Sequence, residues 1–558
     1  MGKLFSQFTP EKWAQIRNHP YYAKVKGSLL ERADKYLESD PPVLKYSDLH
    51  KYEATGDRSG YGGYQSNRLH RATTLFMAYM ITEDEKYLTA LADIMWSICD
   101  MESWTPPYHI KEEYPVDFRR TSLDLGSCIM GMQLAEMVYF IGDKLPDLVC
   151  RRMKANLRER IVDSYIKYRN DEYRWERNKN NWNAVCTGSI FATFLYLGAT
   201  EELDKELPRM LKSIDDYLSG FRDDGCCIEG YGYWRYGFTY FCIFAQLLRE
   251  YTDGKIDLFR DEKIHSIAKF QQNISLNANE AISYSDSRLT FEPPVGLSHF
   301  LKSVYDDVEI PSLEAEDHHE NITRHLLWTN PEYKDCEFKP KGHIFKDCQW
   351  FVFHNDAYSM STKAGHNHEM HNHNDVGSFI VSKNGKVTFC DPGLGRYDAN
   401  YFKSDTRYDN VACSSRGHSV PIINGAYQSP GEKKSVIYDE GKDRYVYSME
   451  NAYDIPTLKS LRRGVYCEEK GIRLVDKYEF DGMPESITER FVSLLPITIE
   501  QGKLIAGDSV LHFDPELFEV ELKQEMIARH GNFDEPLYQA DLTVKNLKPE
   551  TELSFFID

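Results

Sequence analysis

The chain has 558 residues, which is too many for one hydrophobic core, so two or more domains are expected. A hydrophobic content of 41% and a charged content of 28% are typical of a folded globular protein and exclude a disordered chain. The net charge of −20 argues against a nucleic-acid partner, because phosphate backbones are bound by clustered lysine and arginine.

The first residues and the cysteines bear on the cellular compartment. The stretch MGKLFSQFTPEKWAQIRN has no apolar segment of signal-peptide length, and no later stretch reaches the length of a membrane span. The 12 cysteines are scattered without a CxxC pair, a pattern typical of reduced thiols. We therefore expect a cytoplasmic protein without a membrane partner, and export by another route stays open.

The first half of the chain has a helical pattern. Between about 65 and 300, apolar residues recur at helical spacing in segments such as RLHRATTLFMAYMI, SLDLGSCIMGMQLAEMVYFIG and TYFCIFAQLLREY. Short polar or glycine-containing turns separate these segments, which predicts successive antiparallel helix pairs. We expect a helical domain over 1–305, with its helix pairs closing into a ring.

An acidic, poorly periodic stretch, 306–342, is expected to link this domain to a second one. From 343 to 558 the pattern alternates as in β-strands, for example in SFIVSKNGKVTFCD and IRLVDKYEF. The Asn-Gly pair at 384–385 predicts a two-residue hairpin turn. The C-terminal part is therefore predicted to be an antiparallel β-sandwich, with a cleft expected between the two domains.

Two stretches of the helical part contain candidate functional residues. KNNWNAVCTGS places asparagines around Trp182 at the start of an apolar helix, where they could cap the helix or bind a ligand. DDGCCIEGYGYWRYGFTYF presents Tyr231, Tyr233, Trp234 and Tyr236 after a glycine-rich turn. These rings could form core packing or a sugar platform, and a tyrosine with a lowered pKa can transfer protons.

The stretch GHNHEMHNHNDVGSF contains four histidines in eight positions. His371, His373 and Asp375 alternate, so they would share one face if the segment is extended. Asp391 ends the next predicted strand, and His418 follows in SSRGHSVPIING. Histidine and aspartate are zinc ligands, and a hydrogen-bonded polar cluster without metal is the alternative.

Together these stretches resemble the heparinase II/III-like polysaccharide lyases. The matching motifs are N-N-W at 180–182, E-G-x-x-Y-W-x-Y-G at 229–237, H-x-H-N-D-x-x-S-F at 371–379, D-P-G at 391–393 and H-S-x-x-x-x-N-G-x-x-Q at 418–428. The resemblance implies an α+β chain, with an incomplete (α/α) toroid followed by an antiparallel β-sandwich. It also implies cleavage of uronic-acid polysaccharides by β-elimination, which gives unsaturated uronyl products.

The chemistry explains why such residues are needed. β-Elimination removes the proton on C5 of a uronate, beside its carboxylate, and expels the C4 oxygen. Hydrogen-bond donors must stabilise the developing charge, a base must reach C5, and an acid must reach the leaving oxygen. By resemblance, Asn181 is the neutralising asparagine, Tyr233 is the proton-transferring tyrosine and His371 is the histidine that precedes the metal ligand.

The resemblance further implies a zinc ion held by His373, Asp391 and His418, bracing the sandwich floor of the cleft. The residues expected to contact substrate are Trp182, Glu229, Tyr236, Tyr397, Tyr401 and Arg407. Two features depart from the family pattern. Trp182 stands where some relatives carry a second proton-transferring histidine, and the additional tyrosine of the β-domain has two possible matches, Tyr397 and Tyr401.

Other functions are compatible with the sequence. A glycoside hydrolase on a helical toroid needs a pair of carboxylates, which Asp223, Asp224 and Glu229 could supply. A catalytically silent carbohydrate-binding protein with a structural metal is a second alternative. Among lyases, the motif at 229–237 favours a glycosaminoglycan over an alginate substrate. The expected partner is therefore an anionic polysaccharide or oligosaccharide.

Overall fold

The computed structural model describes residues 4–58, 60–168, 174–311, 321–336, 338–398, 400–530 and 533–558. Contacts within the chain define two units. The helical unit comprises Met1–Phe221, Tyr233–Ile264 and Pro294–Cys336, and the β unit comprises Arg222–Gly232, His265–Pro293 and Glu337–Asp558.

This division differs from the predicted domain boundaries. Two stretches from the predicted helical domain, 222–232 and 265–293, group with the β unit, because the chain passes between the units more than once. The predicted linker, 306–342, lies partly outside the described residues, at 312–320 and 337. Its described part contains a helix, Ile322–Trp328, that belongs to the helical unit.

The helices of the described residues are α1 (Pro10–Asn18), α2 (Ala23–Leu37), α3 (Tyr46–Thr55), α4 (Gly60–Thr82), α5 (Glu85–Cys99), α6 (Val116–Thr121), α7 (Leu125–Ile141), α8 (Asp147–Leu157), α9 (Ser164–Lys167), α10 (Asn181–Leu197), α11 (Thr200–Leu218), α12 (Tyr231–Tyr251), α13 (Glu262–Ala268), α14 (Phe270–Asn273), α15 (Val295–Val304) and α16 (Ile322–Trp328). A π-helical turn, Arg158–Asp163, joins α8 to α9. None of the described helices combines the length and the apolar character needed to cross a bilayer.

The packing of these helices follows from their apolar surfaces. Helices α7 and α10 are apolar on all sides, and almost all residues of α10 are buried, as expected of inner helices. Helix α10 packs against α7 and α11, and α4 packs against α5. The start of α7 is fixed by a capping box between Asp124 and Ser127, which satisfies backbone N–H groups that have no partner inside the helix.

The strands are β1 (His343–Phe345), β2 (Trp350–His354), β3 (Tyr358–Lys363), β4 (Phe379–Lys383), β5 (Lys386–Phe389), β6 (Ile422–Ile423), β7 (Ile437–Glu440), β8 (Arg444–Ser448), β9 (Leu458–Cys467), β10 (Ile472–Phe480), β11 (Ile487–Ser493), β12 (Ile497–Glu500), β13 (Lys503–Ala506), β14 (Ser509–His512), β15 (Phe518–Arg529), β16 (Phe533–Val544) and β17 (Glu550–Ile557). They form antiparallel sheets in the orders β1-β2-β3-β4-β5, β12-β13-β14-β17-β10-β9-β8-β7 and β15-β16-β11-β6.

The core of the β unit lies among these sheets. One buried cluster joins side chains from all three, including Phe351, Tyr447, Leu474, Phe491 and Leu542. Such burial of large apolar side chains supplies most of the driving force for folding, at about 1.5–3 kcal/mol for each fully buried side chain. The predicted antiparallel sandwich is therefore confirmed for this unit.

The hairpin between β4 and β5 places one of the predicted metal ligands. Asn384 and Gly385 both have positive φ, at 52° and 74°, and Lys383 pairs with Lys386 across the turn. This is the tight turn predicted from the Asn-Gly pair. Strand β5 ends at Phe389, so Asp391 lies just beyond the strand.

Candidate functional site

The beginning of α10 separates two roles among the asparagines. Asn180 is the N-cap, because its side-chain oxygen accepts a hydrogen bond of 3.2 Å from the backbone N–H of Trp182. The side-chain amide of Asn183 donates a hydrogen bond of 2.9 Å to the carbonyl oxygen of Glu176. Asn181 is only 7% exposed, and its amide makes no hydrogen bond to any residue that the structure describes. The cap function therefore belongs to Asn180, and the Asn181 amide is available to a ligand.

Helix α12 approaches Asn181 closely. A Cβ at Gly237 would lie 3.0 Å from the Asn181 Cβ, and a Cβ at Gly188 would lie 2.6 Å from the Tyr240 carbonyl oxygen. Glycine at both positions therefore permits the close packing of α10 against α12. Tyr233 lies one turn before Gly237 on the same helix face, so the helical unit brings Tyr233 and Asn181 into one region.

A cavity of about 620 Å³ lies in the helical unit. Its lining includes Gln65, Trp104, Tyr108, His109, Gln133 and Tyr236. Aromatic rings combined with a few polar side chains are typical of small-molecule sites, and the rings can stack on a sugar. The predicted substrate residue Tyr236 lines this cavity, and Trp182, which is half-buried, contacts the cavity residue His109 at a ring-centroid distance of 4.6 Å.

The histidine-rich segment is not extended, so the condition under which its alternating residues would share one face is not met. The backbone turns at His371, whose φ is +57°, and strand β4 begins only at Phe379. A positive φ is uncommon for a residue with a side chain, and such residues occur at turns and are enriched at functional sites. As a result His371, His373 and Asp375 do not share one face. Asp375 instead forms a fully buried ion pair with Lys363, with 2.5 Å between Nζ and Oδ1.

Asp286 is the centre of the polar network in the β unit, and the sequence analysis missed it. Its carboxylate accepts hydrogen bonds of 2.6 Å from His371 Nδ1 and 3.0 Å from His373 Nε2. The hydroxyl of Tyr401 also donates to it, and a guanidinium nitrogen of Arg407 lies 3.4 Å away. Burial alone would raise the pKa of Asp286, but these hydrogen bonds and charges hold it well below its ordinary value.

Glu229 lies on the other side of His371. It is 6% exposed, its Oε2 has no hydrogen-bond partner among the described residues, and this oxygen lies 3.7 Å from His371 Nε2. Burial raises the pKa of Glu229 to about 7, because little compensates for the lost hydration of its charged form. Near neutral pH the carboxyl group therefore carries a proton part of the time and can donate a hydrogen bond.

The other predicted substrate residues of the β unit brace this network. Tyr401 is 2% exposed. Arg407 lies over the Tyr401 ring and donates to the carbonyl oxygens of Asn372, at 2.9 Å, and Tyr401, at 3.1 Å. Tyr397 is half-buried and packs on Tyr401 at 4.8 Å. Of the two candidates for the additional tyrosine of the β-domain, Tyr397 is therefore the more exposed. The hydroxyl of Tyr401 is instead hydrogen-bonded to Asp286.

The predicted zinc ligands lie near one another but fall into two groups. Ligand atoms of Asp391, His418 and Asp375 lie within 4.8 Å of one another, and those of His373 do so with Asp286 and Cys413. The rings of His373 and His418 are 5.5 Å apart. The structure thus brings the predicted ligands to one place without grouping all three.

The hydrogen bonds of these residues fit a cation. His418 faces two acceptors, Asp391 Oδ2 at 2.9 Å from Nδ1 and the Ala412 carbonyl oxygen at 3.0 Å from Nε2. A neutral imidazole has only one N–H, so this contact requires either a second proton or a cation between His418 and Asp391. His373 Nδ1 is buried without a partner among the described residues. In both histidines one nitrogen is anchored and the other is placed for a metal, as in known zinc sites.

Buried polar side chains hold the loops that carry these ligands. Arg463 donates to the carbonyl oxygens of Gly377, at 2.7 Å, and Ser419, at 2.9 Å, while Asp476 neutralises its charge. Gln428, the last residue of the H-S-x-x-x-x-N-G-x-x-Q motif, exchanges two hydrogen bonds with the backbone of Val376. Gln428 therefore holds the end of the histidine segment in position.

The three carboxylates considered for a glycoside hydrolase lie in different surroundings. The Asp224 side chain accepts hydrogen bonds from the backbone N–H groups of Cys226, at 3.0 Å, and Asp347, at 2.9 Å. Asp223 is exposed, and Glu229 is buried beside His371. Asp224 therefore serves to hold its loop.

Comparison with known proteins gives a family match for part of the chain. The model of the heparinase II/III-like C-terminal domain matches residues 339–494, which include His371, His373, Asp391 and His418. The predicted resemblance is thus confirmed over this segment. No curated protein matches the sequence.

Solved structures resemble the chain over nearly its whole length. A heparinase III matches with a TM-score of 0.62 and 14% identity, covering 98% of this chain and 91% of that one. The heparan sulfate lyase HepC from Pedobacter heparinus matches at 0.59 and 11%, with coverages of 98% and 90%. The chondroitin AC lyase from Streptomyces coelicolor A3, in complex with chondroitin sulphate, matches at 0.58 and 12%, with coverages of 98% and 81%. The predicted fold, an incomplete toroid followed by an antiparallel sandwich, is confirmed.

Proposed function

We propose that the protein is a polysaccharide lyase that cleaves a uronic-acid-containing glycosaminoglycan by β-elimination. The observation that carries the proposal is the hydrogen bond between His371 Nδ1 and the buried carboxylate of Asp286. Because the N–H of Nδ1 donates to this carboxylate, Nε2 of the neutral ring has the lone pair, and it can act as a base. The family match over this segment and the likeness to glycosaminoglycan lyases support the same chemistry.

His371 is the proposed base for one of the two uronate epimers. Glucuronate and iduronate differ at C5, so their C5 protons point to opposite faces of the sugar ring, and one fixed base cannot serve both equally. The buried Asp286 stabilises the imidazolium that forms when His371 takes the proton, as a carboxylate does for histidine bases in general. Its hydrogen bond also fixes the orientation of the ring.

Asn181 is the proposed donor to the substrate carboxylate. Charge moves onto that carboxylate as the C5 proton leaves, and a donor already in place stabilises this charge more than water does. An amide that is nearly buried and has no hydrogen bond to the described residues suits this task. Glu229, with its pKa raised to about 7, is the proposed second donor near neutral pH.

Tyr233 is the proposed acid that protonates the C4 oxygen as it leaves. A phenol hydroxyl can deliver its proton to an alkoxide as the C4–O bond breaks. Its place one turn before Gly237, which packs against Asn181, supports a role beside that residue. Elimination is then balanced, since one proton passes to the base and another reaches the leaving oxygen.

A zinc ion is proposed at His373, Asp391 and His418. When bound it would supply positive charge that neutralises Asp391 and fixes the loops in place. His373 then links the metal site to the base, because His373 and His371 donate to the same carboxylate, that of Asp286.

A panel of uronic-acid polymers, read by ultraviolet absorbance, tests the proposed function. Heparan sulfate, heparin, chondroitin sulfate, hyaluronan and alginate are each incubated with the protein, because elimination alone creates an absorbing C4–C5 double bond. We expect absorbance to rise with at least one glycosaminoglycan and not with alginate. If absorbance does not rise with any polymer, the lyase is rejected. Sugar chains that stay intact would then favour the binding protein, and chains that are cut without a new absorbance would favour the hydrolase.

A further inference from the structure

His109 and Asp124 form a histidine–carboxylate pair in the helical unit to which no role has been assigned. The Nδ1 of His109 donates a hydrogen bond of 2.6 Å to Asp124 Oδ2. Asp124 is 3% exposed, and its other oxygen, Oδ1, accepts a hydrogen bond of 2.8 Å from the backbone N–H of Ser127 at the start of α7. Each carboxylate oxygen thus has one partner, and the helix cap does not need His109.

The imidazole of His109 is held in a fixed orientation. Its ring packs edge-on against Tyr108, with a centroid distance of 4.7 Å, and in a tilted arrangement against Trp182, with a centroid distance of 4.6 Å. The backbone N–H of His109 also closes a turn to the carbonyl oxygen of Pro106 at 3.0 Å. The ring is therefore fixed by two aromatic side chains and by one hydrogen bond to a buried carboxylate.

The second nitrogen of this ring is positioned for a ligand. His109 lines the cavity of about 620 Å³, and its side chain is 20% exposed. Its Nε2 makes no hydrogen bond to any residue that the structure describes. Since the proton lies on Nδ1, toward Asp124, Nε2 has the lone pair. A base oriented by a carboxylate and directed to a cavity is the arrangement that general-base catalysis needs.

The residues around this pair are neighbours in sequence of the proposed catalytic residues Asn181 and Tyr233. Trp182, which contacts His109, follows Asn181 directly, and Tyr236, which lines the same cavity, lies one turn after Tyr233. Trp182 itself has no group that transfers protons at neutral pH. The imidazole of His109, which packs against Trp182, is a proton-transferring group.

We propose that His109 is a second catalytic base, positioned by Asp124, for the uronate epimer that His371 does not serve. This inference rests on the proposed function. The Nε2 lone pair takes the C5 proton, the electrons of the C5–H bond form the C4–C5 double bond, and the C4–O bond breaks. Its electron pair leaves with the oxygen, which takes a proton from Tyr233. The His109 imidazolium then returns its proton to water, and the Tyr233 phenolate takes a proton from water, which restores both residues.

Two variants test the role of His109, with turnover measured separately on polymers rich in glucuronate and in iduronate. His109→Ala should lose about 10²–10⁴ in kcat on the epimer that is least affected by His371→Ala, because general acid–base catalysis typically contributes that much. Its KM should change little, and added imidazole should restore part of the turnover. Asp124→Asn keeps an oxygen for the helix cap but no longer fixes the tautomer, so it should lose turnover on the same epimer with a nearly unchanged melting temperature.

His50→Ala is the matched control, because His50 also pairs with a carboxylate, that of Glu112 at 3.1 Å, but it is exposed and outside the cavity lining. It should keep wild-type turnover on both epimers. Should His109→Ala prove unstable, His109→Asn and Asp124→Asn provide the same comparison in a folded protein. A raised KM with normal kcat, or equal losses on both epimers without imidazole rescue, would overturn the role of His109 as a base. If the wild type gives no unsaturated product, the proposed function itself fails, and this role fails with it.

Discussion

Asp286 and His371 lie 85 positions apart in the chain, and a 2.6 Å hydrogen bond joins them. The same carboxylate, which has no exposed surface, also accepts a hydrogen bond from His373. The proposed base and a proposed metal ligand are thus held by one buried group. A change at Asp286 should therefore affect catalysis and stability together.

Asp286→Asn should reduce both turnover and stability. The amide cannot accept all of the hydrogen bonds from His371, His373 and Tyr401, and its own N–H groups would face donors. Breaking a buried charged cluster typically costs about 3–5 kcal/mol, and misorienting a catalytic histidine costs about 10⁴ in kcat. Denaturant unfolding and turnover of the folded protein measure the two effects.

Asp541→Asn is the matched control for Asp286. Asp541 is also buried in the β unit, where Arg490, at 2.7 Å, and Lys523, at 3.0 Å, donate to it. We expect this variant to lose stability but to keep its turnover per folded molecule. Equal effects of the two substitutions on turnover would mean that Asp286 has no special relation to the reaction.

Asn181→Ala and Asn180→Ala should have opposite effects. Loss of a donor directed at developing charge costs about 10²–10³ in rate, so Asn181→Ala should lose turnover without a loss of stability. Loss of an N-cap costs about 1 kcal/mol, so Asn180→Ala should be less stable with near-normal turnover of the folded protein. The reverse pattern would assign the ligand-binding role to Asn180.

Glu229→Gln should change the pH dependence of stability. Burial raises the pKa of Glu229 from 4.5 to about 7 in the folded protein. The folded state therefore binds this proton more tightly than the unfolded state does. The resulting stabilisation is complete below about pH 4 and is lost as the pH rises to about 7.

With glutamine in place of Glu229, this loss should be absent. At 1.36 kcal/mol per pKa unit, Glu229→Gln should gain roughly 3 kcal/mol relative to the wild type between pH 4 and pH 8. Urea unfolding of both proteins at a series of pH values measures the difference. Parallel stability curves for the two proteins would show that Glu229 titrates normally.

Metal analysis should find about one zinc per chain. Asp391→Asn should lose the metal and melt at a lower temperature, because ligation contributes to the stability of the folded state. His368→Ala is the control from the same histidine-rich stretch, since His368 is exposed and pairs with Glu432 at 3.3 Å. A metal-free wild type whose stability does not change when zinc is added would leave these histidines as a polar cluster.

Tyr233→Phe and His371→Ala should differ in their dependence on the substrate epimer. Without Tyr233 no acid remains for the leaving oxygen, so turnover should be lost on glucuronate and iduronate polymers alike. His371→Ala should lose turnover mainly on one epimer, because His371 can reach the C5 proton on only one face. Near-wild-type turnover of Tyr233→Phe on any good substrate would transfer the role of acid to another tyrosine, with Tyr236 the first candidate.

The parts of the site that the sequence could predict are those set by local patterns. The Asn-Gly hairpin, the cap before α10 and the motif around His371 each depend on a few neighbouring residues. Such short-range signals are present in the sequence itself. Together with the family resemblance, they led to the predicted fold and to the roles expected of Asn181, Tyr233 and His371.

The partners of these residues could not be predicted in the same way. Asp286 sits in a polar loop, SYSDSR, that resembles any surface turn, and its role depends on contacts with residues far along the chain. The turn at His371 requires a positive φ, which histidine adopts only occasionally, so the residue type alone does not predict the turn. His109 lies 73 positions before Trp182, so only folding brings the two rings together.

Digestion in water enriched in heavy oxygen tests most directly whether the reaction is an elimination. The products from the best polymer of the panel are analysed by mass spectrometry. Elimination adds no oxygen from water, so we expect unsaturated, unlabelled products, each pair of new ends lighter by one water molecule than a hydrolysed pair. Saturated products that carry the heavy oxygen would show hydrolysis and contradict the account.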